Sequence, residues 1–346
     1  MMKAVFVKGQ DKISVDDVMT PVAGEHDIVV KMHACGICGS DLEKVYSYYS
    51  MSSNRLGHEP AGEVIGVGKS ISGFSINDRV FVHHHVSCLS CHYCQHGDNT
   101  MCEMYQKSNI EPCGLSQTFL VPEWNISRGG IIKLPDEVTF DEATFIEPLA
   151  CCIRALNKSH LQKGDDVAVM GVGPAGMMNI ILATNFGAAK IIAIDVNGFR
   201  LNFASRHNTN IETINPSTEK SFVEKIHNMT YGRGVDVTIV STGNTEALIR
   251  SFDITRRGGT IVLFGVPSRE TKILFDVSKI YSNELSIIPS YASTEVETNQ
   301  ALRLIAEKRL NVESLITHKF DIKDAKEAIK CAHQAKDTMK VIITSC

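Results

Sequence analysis

Four cysteines on one short loop form the densest group of metal-binding side chains in this sequence of 346 residues: Cys88, Cys91, Cys94 and Cys102, separated by two, two and seven residues. Four thiolates in a tetrahedron leave no coordination position free for a substrate, so this spacing predicts a structural zinc site. An iron–sulfur cluster also takes four cysteines and is the alternative. Five histidines occur in the same region: His83, His84, His85, His92 and His96. Because four thiolates are available, we interpret these histidines as surface residues or as neighbours of the ligands.

A second set of metal-binding side chains is spread over three separate segments. CGICGSD carries Cys35 and Cys38, GHE carries His58 and Glu59, and IEPLACC carries Glu147. Sulfur, nitrogen and oxygen ligands from separate segments are typical of a catalytic zinc, which keeps a position open for water or substrate. Taken singly, these residues have plainer interpretations, because the two cysteines also fit a CxxC redox pair and the histidine also fits a protein core.

A third pattern, between Val167 and Asp195, predicts a βαβ unit that binds a dinucleotide. A short apolar run is followed at once by GVGPAG, then by a segment of helix length and a second apolar run. Gly171, Gly173 and Gly176 permit a tight turn, close approach to a pyrophosphate and close helix–strand packing, with the helix N-terminus facing the phosphates. Asp195 lies nineteen residues after Gly176, where it can accept hydrogen bonds from both ribose hydroxyls.

Asp195 also sets the expected cofactor preference. A carboxylate beside the adenosine ribose repels a 2′-phosphate, so NAD is expected over NADP. Arg200 follows five residues later and could soften that repulsion. Pro174 and Thr242 complete the residues that we assign to the cofactor site.

The composition limits the possible functions. A chain of 346 residues is expected to form two domains, and a net charge of −4 gives no basis for binding nucleic acid or an anionic membrane. No apolar run approaches the ~20 residues needed to span a bilayer, and the N-terminus lacks the longer apolar segment of a signal peptide. Eleven clustered cysteines indicate metal binding in a reducing compartment, with at least one free thiol. We therefore expect a cytoplasmic protein with a small-molecule substrate and no nucleic-acid or membrane partner.

The elements that must position these residues begin with a β-rich part. Apolar or alternating runs occur at 3–7, 28–34, 62–67 and 78–82. Asn77-Asp78 predicts a hairpin turn before the last of these runs. Residues 137–157 then predict helix.

From residue 167 onward, short apolar runs alternate with segments of helix length. Six strands are predicted, at 167–170, 191–195, 211–214, 235–240, 260–264 and 284–289. This βα alternation implies a doubly wound parallel sheet. Further on, helices are predicted at 295–308 and 323–335, and short strands at 318–322 and 339–343. We therefore expect one domain made from both ends of the chain, 1–152 with 290–346, and a dinucleotide-binding domain inserted at 153–289.

This combination resembles the zinc-dependent medium-chain dehydrogenases, the relatives of alcohol, sorbitol and threonine dehydrogenases, over nearly the whole chain. The resemblance implies an α/β protein in which a Rossmann domain is inserted in a chaperonin-10-like (GroES-like) β domain. In that family the second cysteine of GICGSD is a zinc ligand, which matches Cys38 and not Cys35. GHE supplies His58 as a ligand, and Glu59 as a ligand or as a switching carboxylate. Glu147 matches the EPL motif of the polyol and threonine branch, where ethanol-type enzymes have a ligand cysteine.

The resemblance also implies a proton relay and a role for the residue beside it. Ser40 matches the inner hydroxyl of the relay, and Asp41 matches an aspartate that orients the zinc ligands. Many relatives have a histidine three positions after that hydroxyl, but this sequence has Glu43. The outward path of the proton must then be completed by Glu43, by water or by the cofactor ribose.

The expected function is oxidation of a secondary alcohol of a polyol or sugar to a ketone, with hydride transfer to the nicotinamide. The EPL motif is shared with threonine dehydrogenases, but Ser40 and Glu43 favour polyols over threonine. The alternatives are L-threonine, a simple secondary alcohol or an aldose as substrate, a reductase-like relative, and a nucleotide-sensing binding protein. Three tyrosines after the relay motif could line a substrate pocket or lie on an exposed loop: Tyr46, Tyr48 and Tyr49.

The resemblance further implies a homo-oligomer, more readily a tetramer than a dimer. Relatives commonly dimerise by extending the sheet of the nucleotide domain, and the apolar run Leu285 to Ile288 could form such an edge.

Overall fold

The computed structural model describes residues 1–47, 54–207, 210–267 and 271–345. Tyr48 and Tyr49 lie outside these residues. The chain divides into two compact units, Met1–Ala150 with Ala292–Cys346, and Cys151–Tyr291. None of the helices in the described ranges is long and apolar enough to cross a membrane.

The strands of the described residues are β1 (Met2–Gly9), β2 (Lys12–Val18), β3 (Ile28–Gly36), β4 (Pro60–Val67), β5 (Arg79–Val82), β6 (Thr118–Val121), β7 (Ile131–Lys133), β8 (Asp166–Met170), β9 (Lys190–Ile194), β10 (Ile211–Ile214), β11 (Val235–Val240), β12 (Thr255–Leu263), β13 (Ser286–Pro289), β14 (Ile316–Asp321) and β15 (Lys340–Thr344). The helices are α1 (Gly39–Tyr46), α2 (His92–Gln95), α3 (Glu103–Lys107), α4 (Glu123–Ile126), α5 (Phe140–Ala143), α6 (Ile146–Ser159), α7 (Pro174–Phe186), α8 (Gly198–His207), α9 (Phe222–Met229), α10 (Thr245–Ile254), α11 (Val277–Ser282), α12 (Glu295–Ala306) and α13 (Ala325–Gln334).

The first unit is built on a seven-stranded sheet in the order β14-β15-β3-β4-β5-β7, with β6 also paired to β3. The pairs are antiparallel except β14 with β15, and β1 and β2 form a separate antiparallel pair. Alternate residues of β3 are fully buried in the core, namely Ile28, Val30 and Met32. The central strand therefore has a fixed register, because a shift of one residue would turn this apolar set out of the core.

Three strand ends of this sheet meet where the candidate ligands lie. Strand β3 runs directly into CGICGSD, and its Cys35 pairs with Pro60, the first residue of β4 after GHE. Strand β15 pairs with the same end of β3, where Ile342 lies opposite Gly36. Segments that are far apart in the sequence are thus brought together at one edge of the sheet.

The prediction that Asn77-Asp78 alone forms a hairpin turn between two strands is wrong. Strands β4 and β5 are antiparallel neighbours, but residues 68–78 join them. Asn77 has the left-handed conformation expected in a turn, with φ of 74°. The longer connection carries Ile71 and Phe74, which pack against the core, and this burial explains why the chain does not turn directly.

The second unit contains the predicted doubly wound parallel sheet, in the order β10-β9-β8-β11-β12-β13. All six predicted strands are present. The order reverses between β8 and β11, and in such sheets the ligand site lies at the carboxyl ends of the strands beside this reversal. Helix α7 follows β8, with Gly173 as its N-cap and Pro174 as its first residue, and it ends at Gly187 with φ of 91°. The structure thereby confirms the βαβ unit.

Candidate active site

The N-terminus of α1 holds the first candidate ligand. Cys38 is the N-cap of this helix, and the carboxylate of Asp41 accepts the backbone N–H of Cys38 through Oδ2 at 3.1 Å. Its Oδ1 accepts the backbone N–H of Gly57 at 3.1 Å and lies 3.5 Å from Nδ1 of His58. One fully buried carboxylate therefore fixes the helix start, the turn before β4 and the imidazole orientation.

The charges around His58 favour a cation. Burial alone would raise the pKa of Asp41, but the neighbouring His58 holds it well below its usual value. Burial alone would lower the pKa of His58, but Asp41 and Cys38 raise it well above its usual value. Negative groups that retain a proton on an imidazole also stabilise a metal ion bound to that imidazole.

The other nitrogen of His58 faces the remaining site residues. Nε2 lies 3.4 Å from Ser40 Oγ and 4.0 Å from Glu147 Oε2. Ligand atoms of Cys38, His58 and Glu59 lie within 4.8 Å of one another, a spacing that could hold a metal ion. The structure thus brings the spread-out sulfur, nitrogen and oxygen ligands together, with the hydroxyl beside them.

Cys35 lies apart from this group. Its fully buried thiol donates to the carbonyl of Gly36, with Sγ and O 3.7 Å apart, and burial raises its pKa well above the usual value. Both Cys35 and Cys38 are free thiols. The redox-pair interpretation therefore has no geometric support here, since a buried protonated thiol is a poor nucleophile.

The four cysteines of the loop lie as close as the ligands of a single metal ion. Cys94 Sγ is 4.0 Å from Cys88 Sγ and 3.6 Å from Cys91 Sγ, and all four sulfurs lie within 4.8 Å of one another. A tetrahedron with Zn–S bonds of roughly 2.3 Å has S···S edges of about 3.8 Å. An iron–sulfur cluster shares its cysteines among several irons and needs wider spacing. The observed distances therefore fit zinc.

Hydrogen bonds to the sulfur of Cys88 favour its thiolate form. The backbone N–H and the hydroxyl of Ser90, followed by the N–H of Cys91, lower the pKa of Cys88 to about 6. The hydroxyl of Ser90 lies 3.6 Å from Cys88 Sγ and the N–H of Cys91 donates to it at 3.3 Å. Donors aimed at sulfur favour the thiolate, which is the form that binds metal.

The glycine turn after β8 is as tight as the sequence predicts. Gly171 has φ of 89°, and a Cβ on Gly176 would lie 1.9 Å from the carbonyl oxygen of Gly171. A Cβ on Gly171 would meet the Cβ of Thr242 at 3.0 Å, so Thr242 lies directly beside the turn. Only glycine permits this close approach of backbone to backbone, which leaves the helix N-terminus open to an anion.

Asp195 and Arg200 both lie next to the same turn. The carboxylate of Asp195 accepts the backbone N–H of Val172 at 2.6 Å and that of Asn197 at 2.8 Å. The guanidinium of Arg200 would come within 3.3 Å of a Cβ on Gly173. The structure therefore brings together the residues assigned to the cofactor from the sequence, with an acid at the end of β9 and a cation over the turn.

Comparison with known proteins gives a family match for each of two parts of the chain. Residues 24–136 match the alcohol dehydrogenase GroES-like domain, and residues 174–307 match the zinc-binding dehydrogenase domain. Sorbitol dehydrogenase of Bacillus subtilis (strain 168) is 31% identical over 351 residues, covering 99% of this chain and 97% of that enzyme. The chain belongs to the zinc-dependent medium-chain dehydrogenases. It is an oxidoreductase, and its expected fold class is confirmed.

Other medium-chain dehydrogenases are similar over the same length. L-threonine 3-dehydrogenase of Salmonella arizonae is 28% identical over 351 residues, covering 99% of both chains. A solved structure described as a zinc-binding dehydrogenase of Sinorhizobium meliloti 1021, bound to NADP, has a TM-score of 0.88 and 27% identity, and the match covers 99% of both chains.

One charged residue of this dehydrogenase was missed at the level of sequence. Lys340, at the start of β15, contacts Oε2 of Glu59 and donates to the carbonyl of Ile37 at 3.2 Å. Both members of this ion pair are almost fully buried, and a Cβ on Gly36 would lie 1.7 Å from Glu59 Oε2. Burial alone would lower the pKa of Lys340, but Glu59 raises it above its usual value. The sequence feature that could have pointed to Lys340 is that it is a single lysine within the apolar run MKVIIT.

The five histidines near the cysteine loop fall into two groups. His92 and His96 are exposed, as expected for surface residues, and their ring centroids lie 4.1 Å apart with the rings tilted by 40°. His83 is fully buried, with Nδ1 3.4 Å from Glu295 Oε1, and His85 contacts the carbonyl of Ser108. His84 is partly exposed, and its ring centroid lies 5.4 Å from that of His58.

Glu43 and Tyr46 both follow Ser40 in α1, but they differ in their contacts. Glu43, three positions on in α1, is partly buried, and its carboxylate has no hydrogen-bond partner among the described residues. Tyr46 is in the last turn of the same helix and stacks on His333, with ring centroids 3.7 Å apart. The Tyr46 ring therefore fixes α1 against α13 within the first unit.

Proposed function

We propose that this zinc-dependent dehydrogenase oxidises a secondary alcohol of a polyol or sugar to the ketone, with NAD as the hydride acceptor. The observation that carries the proposal is the group Cys38, His58 and Glu59, whose ligand atoms lie within 4.8 Å of one another beside the hydroxyl of Ser40. Glu147 adds a second carboxylate 4.0 Å from His58. A polar, acceptor-rich site suits a substrate with several hydroxyls, and the similarity to sorbitol dehydrogenase supports the same choice.

In this proposal, residues of the first unit bind the metal ion and accept the proton of the substrate. Cys38, His58 and one carboxylate, from Glu59 or Glu147, would hold the catalytic zinc, and Asp41 would keep His58 in the tautomer that binds it. A zinc ion held there would act as a Lewis acid on the alcohol or, in the reverse direction, on the ketone. Ser40 Oγ would accept the alcohol proton, and a bound nicotinamide cofactor would supply the hydride acceptor.

The proton leaves Ser40 along α1. Glu43 is on the same helical face, three residues further on, and its carboxylate is free to accept a proton through water. Glu43 therefore takes the place of the histidine that many relatives have at this position. Residues 1–152 with 290–346 form the catalytic domain in this proposal, and residues 153–289 form the dinucleotide-binding domain.

A panel of substrates tests the proposed reaction. Initial rates are measured with sorbitol, xylitol, inositol, arabinitol, L-threonine, 2,3-butanediol and ethanol at saturating NAD. A polyol is expected to have the highest kcat/KM. L-threonine is the second candidate, because L-threonine 3-dehydrogenase is similar over 99% of the chain. If threonine or ethanol exceeded every polyol tenfold, which is ~1.4 kcal/mol of transition-state preference, the polyol assignment would be abandoned.

The proposed metal content is two zinc ions per chain, held with different lability. The four thiolates of the cysteine loop close the coordination of one ion, whereas the mixed site keeps a position open through which a chelator can attack. A mild chelator is expected to remove activity while about one zinc remains and the far-ultraviolet circular dichroism is unchanged. One metal per intact chain, or iron in the loop, would contradict this.

The proposed preference for NAD rests on Asp195, which lies beside the glycine turn. Its carboxylate already accepts two backbone N–H groups, so it is fixed in place next to this turn. The opposing observations are Arg200 at the same turn and a similar structure that binds NADP. The kcat/KM ratio of NAD to NADP is expected to exceed one, and Asp195→Ala is expected to reduce it. A higher kcat/KM with NADP, or an unchanged ratio in the variant, would refute the assignment.

We further propose a cytoplasmic homo-oligomer, a tetramer in preference to a dimer. The ten cysteines within the described ranges are all free thiols, which suits a reducing compartment. Strand β13 is the edge strand of the six-stranded sheet, and among the described residues one of its sides has no pairing strand, so a second copy could extend the sheet there. Light scattering at micromolar concentration is the test, and a particle of 38.0 kDa would rule out the oligomer.

A further inference from the structure

The backbone of the segment His83 to His85 is fixed in place beside the candidate metal site. His83 donates its N–H to the carbonyl of Gly130 at 2.7 Å. The side-chain amide of the buried Asn125 donates to the carbonyls of His83 and His84, at 3.1 and 2.9 Å. The segment that follows β5 therefore cannot shift without breaking several buried hydrogen bonds.

The ring of His84 lies close to two other imidazoles. Its centroid lies 3.8 Å from that of His85 and 5.4 Å from that of His58. His85 is itself fixed through its contact with the carbonyl of Ser108. His84 thus has a defined position next to a candidate zinc ligand.

The polar edge of this ring lacks a protein partner. Nδ1 of His84 is buried and has no hydrogen-bond partner among the described residues, although the residue as a whole is partly exposed. Buried polar atoms are nearly always paired, so an unpaired one on a ring 5.4 Å from that of the candidate ligand His58 points to a group supplied from outside. The other groups around His58 already have roles, since Asp41 faces its Nδ1 and Ser40 with Glu147 face its Nε2.

We propose that His84 is a substrate-binding residue that hydrogen-bonds to the hydroxyl on the carbon next to the one oxidised. The proposal rests on the proposed function, because the contact requires a hydroxyl on the carbon next to the one oxidised, as polyols and sugars have. An imidazole can donate from one nitrogen and accept at the other, as can a hydroxyl, so the two groups are complementary. A substrate with a single hydroxyl cannot make this contact.

The test compares two substrate classes in three variants. His84→Phe keeps an aromatic ring but removes both nitrogens, His84→Asn keeps a short polar side chain, and His96→Phe is the matched control at an exposed histidine. For the polyol that the wild type prefers, His84→Phe is expected to lower kcat/KM by 10- to 100-fold, mainly through KM, because the contact exists before and during hydride transfer. For 2-butanol, kcat/KM is expected to change less than threefold. His84→Asn is expected to restore part of the polyol activity, and His96→Phe is expected to match the wild type on both substrates.

Several outcomes would overturn the proposal. Equal losses on the polyol and 2-butanol, or loss of zinc measured by atomic absorption, would mean that His84 only supports the structure. Unchanged polyol kinetics in both soluble variants would mean that water, and no substrate, pairs with the imidazole. If the wild type oxidised no polyol, the proposed function would fail together with this inference, whereas polyol activity that is insensitive to His84 would refute the inference alone. His84→Asn serves as the measured variant if His84→Phe does not fold.

Discussion

Replacing Lys340 by methionine is expected to tighten zinc binding while it weakens the metal-free protein. Lys340 contacts one oxygen of Glu59, and the other oxygen, Oε1, is buried without a hydrogen-bond partner among the described residues. Glu59 also belongs to the group of ligand atoms with Cys38 and His58. The ammonium therefore competes with a metal ion for the same carboxylate.

The magnitude follows from the burial of the pair. Removing one partner of a buried ion pair costs about 3–5 kcal/mol, because the remaining charge has no counter-ion. In the zinc-loaded protein the freed carboxylate can turn to the metal instead. If the metal offsets half of this cost, Lys340→Met lowers the free energy of unfolding by about 3–5 kcal/mol without zinc but by only about 1.5–2.5 kcal/mol with zinc bound. The difference between the two losses is about 1.5–2.5 kcal/mol. By linkage, zinc affinity then rises on the order of 10- to 70-fold.

The assay combines urea unfolding, with and without zinc at the mixed site, and competition for zinc with a chromophoric chelator. A more tightly held Glu59 is also expected to occupy the position that the substrate needs, so kcat should fall. Lys340→Arg keeps the charge and should resemble the wild type in zinc affinity. The control is Lys319→Met on the neighbouring strand β14, since its ion pair with Asp141 is half exposed and should contribute at most about 1 kcal/mol. Weaker zinc binding in Lys340→Met would refute the reasoning.

Two further changes are expected to act outside the metal site. Burial alone would raise the pKa of Glu142, but Lys308, at 2.7 and 3.0 Å, and the N–H of Thr139 lower it below its usual value. A lowered folded-state pKa stabilises the protein above the unfolded value of about 4.3, and this stability is lost as the pH falls through the folded value. Glu142→Gln should therefore cost about 0.5–1 kcal/mol in urea unfolding at pH 7, since Lys308 is half exposed, and this cost should shrink as the pH falls through the folded-state pKa of Glu142. A cost that stays the same down to strongly acidic pH would contradict this. Gly176→Ala should weaken NADH binding more than tenfold in a fluorescence titration, because the new Cβ would lie 1.9 Å from a carbonyl oxygen, whereas Gly198→Ala, which meets nothing within 4 Å, should bind like the wild type. Equal affinities in the two glycine variants would show that the turn adapts.

The second unit could be predicted closely because its strands are buried on both faces. All residues of β8 are buried, and such strands give continuous apolar runs separated by segments of helix length. Strand β2 was missed in the first unit because most of its residues are only partly buried, so polar residues interrupt the pattern. Strands β6 and β7 were missed because they are short. Short or half-exposed strands are specified by their neighbours more than by their own sequence.

The candidate site was predictable in its residue types but not in its contacts. The residue types made Cys35, Cys38, His58 and Glu59 candidates, and the family resemblance selected Cys38 over Cys35. Lys340 could not be proposed in this way, because its partner Glu59 lies 281 positions away and a lysine in a strand is normally exposed. The position of His84 against His58 likewise depends on how β5 and β4 pair, which no local pattern determines.

The joining of both chain ends in one sheet has a consequence for biosynthesis. Strand β15 pairs with β3, and Lys340 donates to the carbonyl of Ile37 across 303 positions of sequence. While the chain is being translated, the inserted unit Cys151–Tyr291 is complete and can fold before β15 has been made. Until then β3 has an unpaired edge, and Glu59 has no buried counter-ion. The nascent protein therefore passes through a state in which the strand pairing beside the candidate metal site is still incomplete.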